Sequence, residues 1–387
     1  MRCEKARLPC AYNGSPEKAG PLEWSLSPYS FDDSDAIGAL KAFTLQLGPE
    51  LAGGFSDNIW CHVLPQIAHH EPVIRDGLVA VTMLDASIRR SQSTDAAIRQ
   101  YNKAIQELRV RLASTESDKH RCQDVVLLAC LLFTIFECLH NGILNALQHI
   151  SGGMKLLMQW ESDGTRSGDQ ALINRADIQP VFLVLDSQAV QMGVIGFRDF
   201  ASLPAISQSH SPRCTRFQSI EEAHLMMNQI FNRMSRWAHW IEPSTAIGPK
   251  PDALWMAMER QRLHMQLVEW DTAFEPLLDS VDNAKRLLLV QRRVIQACFE
   301  RNDGLSELEW DKHLSTFEEA VQYAEMYMEF DQRSTPTSAA SSAGKRSVFI
   351  VALDIVLPLF LISAKCRDVT IRRRALALLK QCNRKEG

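Results

Sequence analysis

Apolar residues recur along most of this chain at steps of three and four. No stretch alternates apolar and polar residues between hairpin turns, so helices are expected throughout and strands are not. In STDAAIRQYNKAIQELRVRL, Ile98, Tyr101, Ile105, Leu108 and Leu112 fall on one face and Arg, Lys and Glu on the other. That spacing predicts a helix of about five turns capped by Ser93 or Thr94. Ser219 with Glu222 three residues later predicts a capping box ahead of EEAHLMMNQIFNRMSRWAHW. Further helices are predicted at 71–88, 121–139, 143–160, 177–192, 252–275, 279–301, 308–328, 346–364 and 369–381. The expected fold class is all-α, a multi-helix array of antiparallel helix pairs.

Interruptions in the pattern set the expected organisation. Residues 11–35, with Pro16, Pro21 and Pro28, read as a linker, and 36–387 as one helical domain. Mobile loops are expected near 161–170, 203–217 and 333–345, where Gly, Pro, Ser and Thr leave little to bury. Two apolar runs, VVLLACLLFTIFECL (125–139) and VFIVALDIVLPLFLI (348–362), are shorter than the roughly 20 residues of a bilayer span. Glu137, Asp354 and Pro358 interrupt them. Both are expected as buried central helices, with no membrane partner and no secretory signal in the first twenty residues.

Composition changes this picture only at the edges. The 387 residues are 46% hydrophobic, enough for a large core, and the ten cysteines mostly stand singly inside apolar stretches, which favours a reducing compartment. Net charge is −4 but uneven: residues 1–20 carry +2 and residues 365–387 carry +6, leaving −12 on the body between them. A body of that sign does not itself attract nucleic acid.

The opening MRCEKARLPCAY places Cys3 and Cys10 six residues apart with Lys5 and Arg7 between them. Zinc takes four tetrahedral ligands, and two thiolates do not complete a site. The stretch RCEKARLPCAY resembles the last two ligands of the fungal binuclear zinc cluster, in which six cysteines hold two zinc ions. The segments at 51–87, 145–157, 217–231, 268–278 and 365–387 resemble, in order, the regulatory domain of fungal zinc cluster transcription factors. The resemblance implies a nuclear regulator of RNA polymerase II transcription whose zinc cluster reads DNA in the major groove. It makes residues 1–10 the residual end of a cluster, with the preceding cysteine expected just before Met1 and further residues expected after the last. Cys3 and Cys10 are then metal ligands only as remnants of a six-cysteine cluster. Lys5 and Arg7 are phosphate contacts only where that cluster is intact. Zinc belongs to the intact cluster and is not expected in the chain as written. DNA is contacted only through a complete cluster, and a second copy of the chain or a transcriptional partner protein is the other expected contact. The alternative is an interaction or effector-sensing module without DNA contacts of its own.

Other constellations are read as structural. Cys61, His62, His69, His70 and Glu71 include metal-ligand types, but Pro65 is expected to break the helix that would align them. Glu221 and His224 have the E-x-x-H spacing of di-iron bundles but no second such pair, and read as a surface turn. Gly152 and Gly153 suit a kink or a close helix contact. In the terminal TIRRRALALLKQCNRK, Ile371, Ala375, Leu378, Leu379 and Cys382 form a docking stripe, with the arginines free to meet acidic surface. No constellation suggests catalysis, and the chain is not expected to be an enzyme.

Overall fold

Two prolines shape the first part of the chain described by the computed structural model, which covers residues 34–53, 55, 58–113, 119–162, 171–191, 216–241, 252–278, 282–300, 306–334, 348–351, 354–382 and 384–386. Helix α1 (Ser34–Ala42) runs through a π-helical turn, Phe43–Leu47, into α2 (Gly48–Ala52). A second π turn, Asn58–Val63, leads into α3 (Leu64–Ala68). Pro49 and Pro65 sit in the first turns of α2 and α3, where a missing N–H costs no helical bond. Pro65 therefore does not break the helical path, contrary to expectation. These helices begin inside the expected linker and ahead of the first predicted helix. Their short pieces change helical pitch every five or six residues and blur any single periodicity.

The longer helices follow their predicted spacing. Helix α4 (Pro72–Arg90) packs against α5 (Asp95–Ala113) and α6 (Lys119–Leu139), and α6 against α7 (Ile143–Ser162). The links between α4 and α5 and between α6 and α7 are short, which makes those pairs antiparallel. Ser93 Oγ accepts the Asp95 N–H at 3.2 Å, as the cap expectation requires. On α5 the deepest positions are Ala97, Tyr101 and Ala104, while Leu112 is exposed; the small alanines let the helices approach closely. Helix α6 is long and apolar enough to cross a bilayer, yet Val125, Leu128, Leu132, Ile135 and Phe136 lie in the core. It also keeps Asp124 and Glu137 inside. Asp124 accepts the Leu172 N–H at 2.9 Å. Glu137 accepts the Tyr101 hydroxyl proton at 3.0 Å, and burial with that neighbouring carboxylate raises the Tyr101 pKa.

Close approach recurs where α7 meets α8 (Arg175–Gln191). A Cβ built on Gly153 would lie 2.1 Å from the Phe182 ring, so the glycine makes the helix contact expected of it. Helix α8 packs in turn on α9 (Ile220–Ile241) across a buried polar seam. Asn232 donates to Asp186 Oδ2 at 2.6 Å and to Ser187 Oγ at 3.0 Å, and Arg236 Nη2 reaches the same Asp186 oxygen at 2.5 Å.

Two further cores complete the array. Helices α9, α10 (Ala253–Phe274) and one face of α11 (Asn283–Glu300) enclose Met227, Ile230, Leu267 and Trp270. The other face of α11 packs with α12 (Leu314–Ser334), α13 (Val356–Lys365) and α14 (Val369–Gln381) around Phe317, Val321, Leu359 and Ala375. The helix predicted at 308–328 opens as a 3-10 segment, Glu307–His313, before α12. The helix predicted at 346–364 is corrected more deeply. Residues Val348–Ile350 form a short strand β1, parallel to β2 (Arg384–Glu386), and α13 starts only at Val356. β-branched Val348, Ile350 and Val351 favour extended backbone, and the Val351 N–H bonds to Leu51 O at 3.2 Å. Pro358 then lies in the first turn of α13, and buried Asp354 accepts the Tyr327 hydroxyl proton at 3.0 Å. The class remains all-α.

The tail docks as its stripe requires: Ile371, Ala375, Leu378 and Cys382 are buried. Arg374 binds Glu325 at 2.8 Å and Glu318 at 2.5 Å, and its hydrogen bonds hold the Glu318 carboxyl below its usual pKa. Of the three expected loops, 161–162 and 333–334 finish helices and Phe217 is buried, its N–H bonded to Ala273 O at 3.2 Å. Phe217 is thus anchored within a non-helical stretch ahead of α9. The rest of those stretches lies outside the described residues.

Candidate functional site: a cavity between α8, α9 and the N-terminal helices

A cavity of about 280 Å³ opens where the first core meets the third. Leu51 and Trp60 form one wall, Val181 and Val184 of α8 a second, and Val351, fixed to Leu51 by its backbone bond, closes one side. Helix α9 supplies the remaining wall because its capping box fixes where the helix begins. Ser219 Oγ accepts the Glu222 N–H at 3.4 Å, and the Glu222 carboxylate reaches back to the Gln218 N–H at 2.7 Å. From that start, His224 and Asn228 are one turn apart on the face turned towards α8.

His224 stacks on Phe55 with ring centroids 3.4 Å apart and planes 10° from parallel. Its ring is partly accessible yet set deep among packed helices, because the surface it keeps faces the cavity. Loss of solvent pushes its pKa down to about 3, so the imidazole is neutral at physiological pH. Asn228 Nδ2 lies 3.2 Å from His224 Nε2. With the amide donating, Nε2 accepts and the single ring proton sits on Nδ1. Asn228 is 2% exposed, and its Oδ1 has no hydrogen-bond partner. Elsewhere on the lining, Asp177 accepts from Asn58 Nδ2 at 2.8 Å, and Glu221 is exposed. The expectation of a surface turn at Glu221 and His224 thus holds for the glutamate and fails for the histidine, which turns inward.

The sequence-derived metal and DNA residues are not brought to this site. Cys3, Cys10, Lys5 and Arg7 lie outside the described residues. His62, His69 and His70 are exposed, whereas Glu71 is buried and holds Arg111 at 2.5 Å and Arg121 at 2.6 Å. Glu71 therefore clamps α5 and α6 to the start of α4, a structural role. Among the described residues no group of three or more His, Cys, Asp and Glu is placed to hold a metal ion. Two thiolates at Cys3 and Cys10 do not by themselves fit zinc, which takes four ligands. None of the described cysteines is in a disulfide, and burial pushes the Cys130 thiol up to about 12.

Comparison with known proteins bears on the same stretch. Residues 45–264, which include every helix lining the cavity, match the family described as fungal specific transcription factor domain. Over 269 residues the chain is 24% identical to the aspercryptin biosynthesis cluster-specific transcription regulator of Emericella nidulans. That alignment covers 66% of this chain and 42% of the relative, so the chain matches less than half of that protein's length. No solved structure gives a significant match. With more than half of its residues inside the family match and an all-helical body to go with it, the chain belongs to the fungal specific transcription factor domain family.

Proposed function

We propose that this chain is the helical regulatory part of a nuclear regulator of RNA polymerase II transcription, and that DNA is read by a binuclear zinc cluster ending at Cys10. The family match over residues 45–264 carries the reading, and the similarity to a named transcription regulator supports it. Cys3 and Cys10 supply two of the six thiolates of that cluster, and Lys5 and Arg7 touch phosphates beside it. The division of labour follows from charge and shape. Base readout needs an element held in the major groove, and phosphate contact needs concentrated positive charge. The body between the basic ends carries −12, and Arg374 of the tail is already engaged by Glu318 and Glu325. A second copy of the chain or another component of the transcription machinery is the partner this body would engage.

The test is recruitment to a promoter. Residues 11–387 are joined to an intact six-cysteine cluster of known DNA site, and transcription from a reporter bearing that site is compared with the cluster alone. A several-fold change that requires the helical body is expected. Equal transcription with and without the body would contradict the proposal.

A further inference from the structure

We propose that the cavity walled by Trp60, Val184, His224 and Asn228 is a binding site for a small, planar, neutral or cationic aromatic molecule, through which an effector acts on the body. The size is just below the roughly 300–1,000 Å³ typical of ligand pockets, which suits a small occupant, and the walls are mostly apolar with a few polar groups. Three observations define the chemistry. The Phe55–His224 stack and Trp60 present aromatic surface that favours a flat ring. The neutral imidazole, its Nε2 already held by the Asn228 amide, keeps one donor, Nδ1–H, for an occupant. An occupant that carries a hydrogen-bond acceptor on its ring edge is suited to that donor. Finally, Asp177, Glu221 and Glu222 all lie on the lining, with no Lys or Arg among its described residues, which disfavours an anion.

The position gives binding a consequence. Leu51 and Trp60 belong to the first core, α9 to the third, and Phe55 packs against both the second and third cores. An occupant therefore adds contacts to units that already meet along the α8–α9 seam, and stabilises that arrangement.

Indole, tryptamine and indole-3-acetate share one ring system and differ in charge, and serve as probes in calorimetric titration of the full chain. Saturable binding of indole and tryptamine is expected, with indole-3-acetate at least fivefold weaker than tryptamine. Val184→Trp fills the cavity and is expected to weaken tryptamine binding at least tenfold. His224→Phe keeps a stacking ring and removes the ring nitrogens, and is expected to weaken it about fivefold, with far-UV circular dichroism and thermal melting confirming that each variant is folded. Should none of the three probes bind the wild-type chain, or should a folded Val184→Trp bind tryptamine unchanged, the site is refuted. Unchanged affinity in His224→Phe refutes the polar recognition, and preference for indole-3-acetate refutes the assigned charge. None of these readings depends on transcription, so they fail separately from the proposed function.

Discussion

At the scale of single residues, the cavity histidine makes the sharpest claim. Folded His224 has its pKa pushed down to about 3, against a value near 6.5 in an unfolded chain. Between those values the unfolded state binds the extra proton, so stability is fully present above about pH 6.5 and is lost as pH falls towards 3. The slope in that window approaches about 1.4 kcal/mol per pH unit. Urea unfolding at pH 7 and pH 5 should therefore show a fall in stability for the wild type that His224→Phe reduces by about 2 kcal/mol. An identical fall in both proteins would mean that His224 is protonated when folded. Gly153 makes an equally local prediction. With Phe182 2.1 Å from where a Cβ would stand, Gly153→Ala should destabilise by about 1–3 kcal/mol, and Phe182→Leu should recover part of the loss in the double variant. Of these residues the sequence singled out Gly153 as a contact point. His224 was visible as half of an E-x-x-H pair, but whether a helix turn faces solvent or another helix depends on the partner helix, and α8 has no periodic stripe aimed at it.

At the scale of elements, one buried carboxylate fixes the order of the first helices. Glu71 is 2% exposed and joins α4 to Arg111 of α5 and Arg121 of α6. Glu71→Ala removes the anion shared by two partly solvated guanidinium groups and should cost about 1.5–3 kcal/mol in chemical unfolding. A loss below about 1 kcal/mol would show the clamp to be solvated. Arg374→Ala at the more exposed α12–α14 pairing should cost only about 1 kcal/mol by the same measurement. Periodicity legibly placed the long helices because their apolar stripes are sustained over four turns or more. Among the described residues it failed within 34–68 and at Val348–Ile350, for two different reasons. In the first, π turns and short proline-led helices shift the phase of the stripe repeatedly. In the second, the apolar run is continuous, and an apolar strand cannot be told from a buried helix by pattern alone. The Val351 N–H bond to Leu51 O, which settles the matter, joins residues 300 positions apart.

At the scale of the whole molecule, the account assigns regulation to the helical body and sequence readout to a zinc cluster that needs more ligands than Cys3 and Cys10. Metal analysis of the dialysed chain is expected to find no stoichiometric zinc, whereas zinc that disappears in a Cys3→Ala, Cys10→Ala variant would show a site of unexpected composition. The central claim is that this body does not read DNA sequence itself. The most direct measurement is selection from a pool of random duplexes at near-physiological salt, performed with the full chain and with the same chain joined behind an intact six-cysteine cluster. The account predicts no enriched motif for the chain alone, with only weak retention that fades as salt rises, and recovery of the cluster's own motif for the fusion. A motif enriched by the chain alone would contradict it.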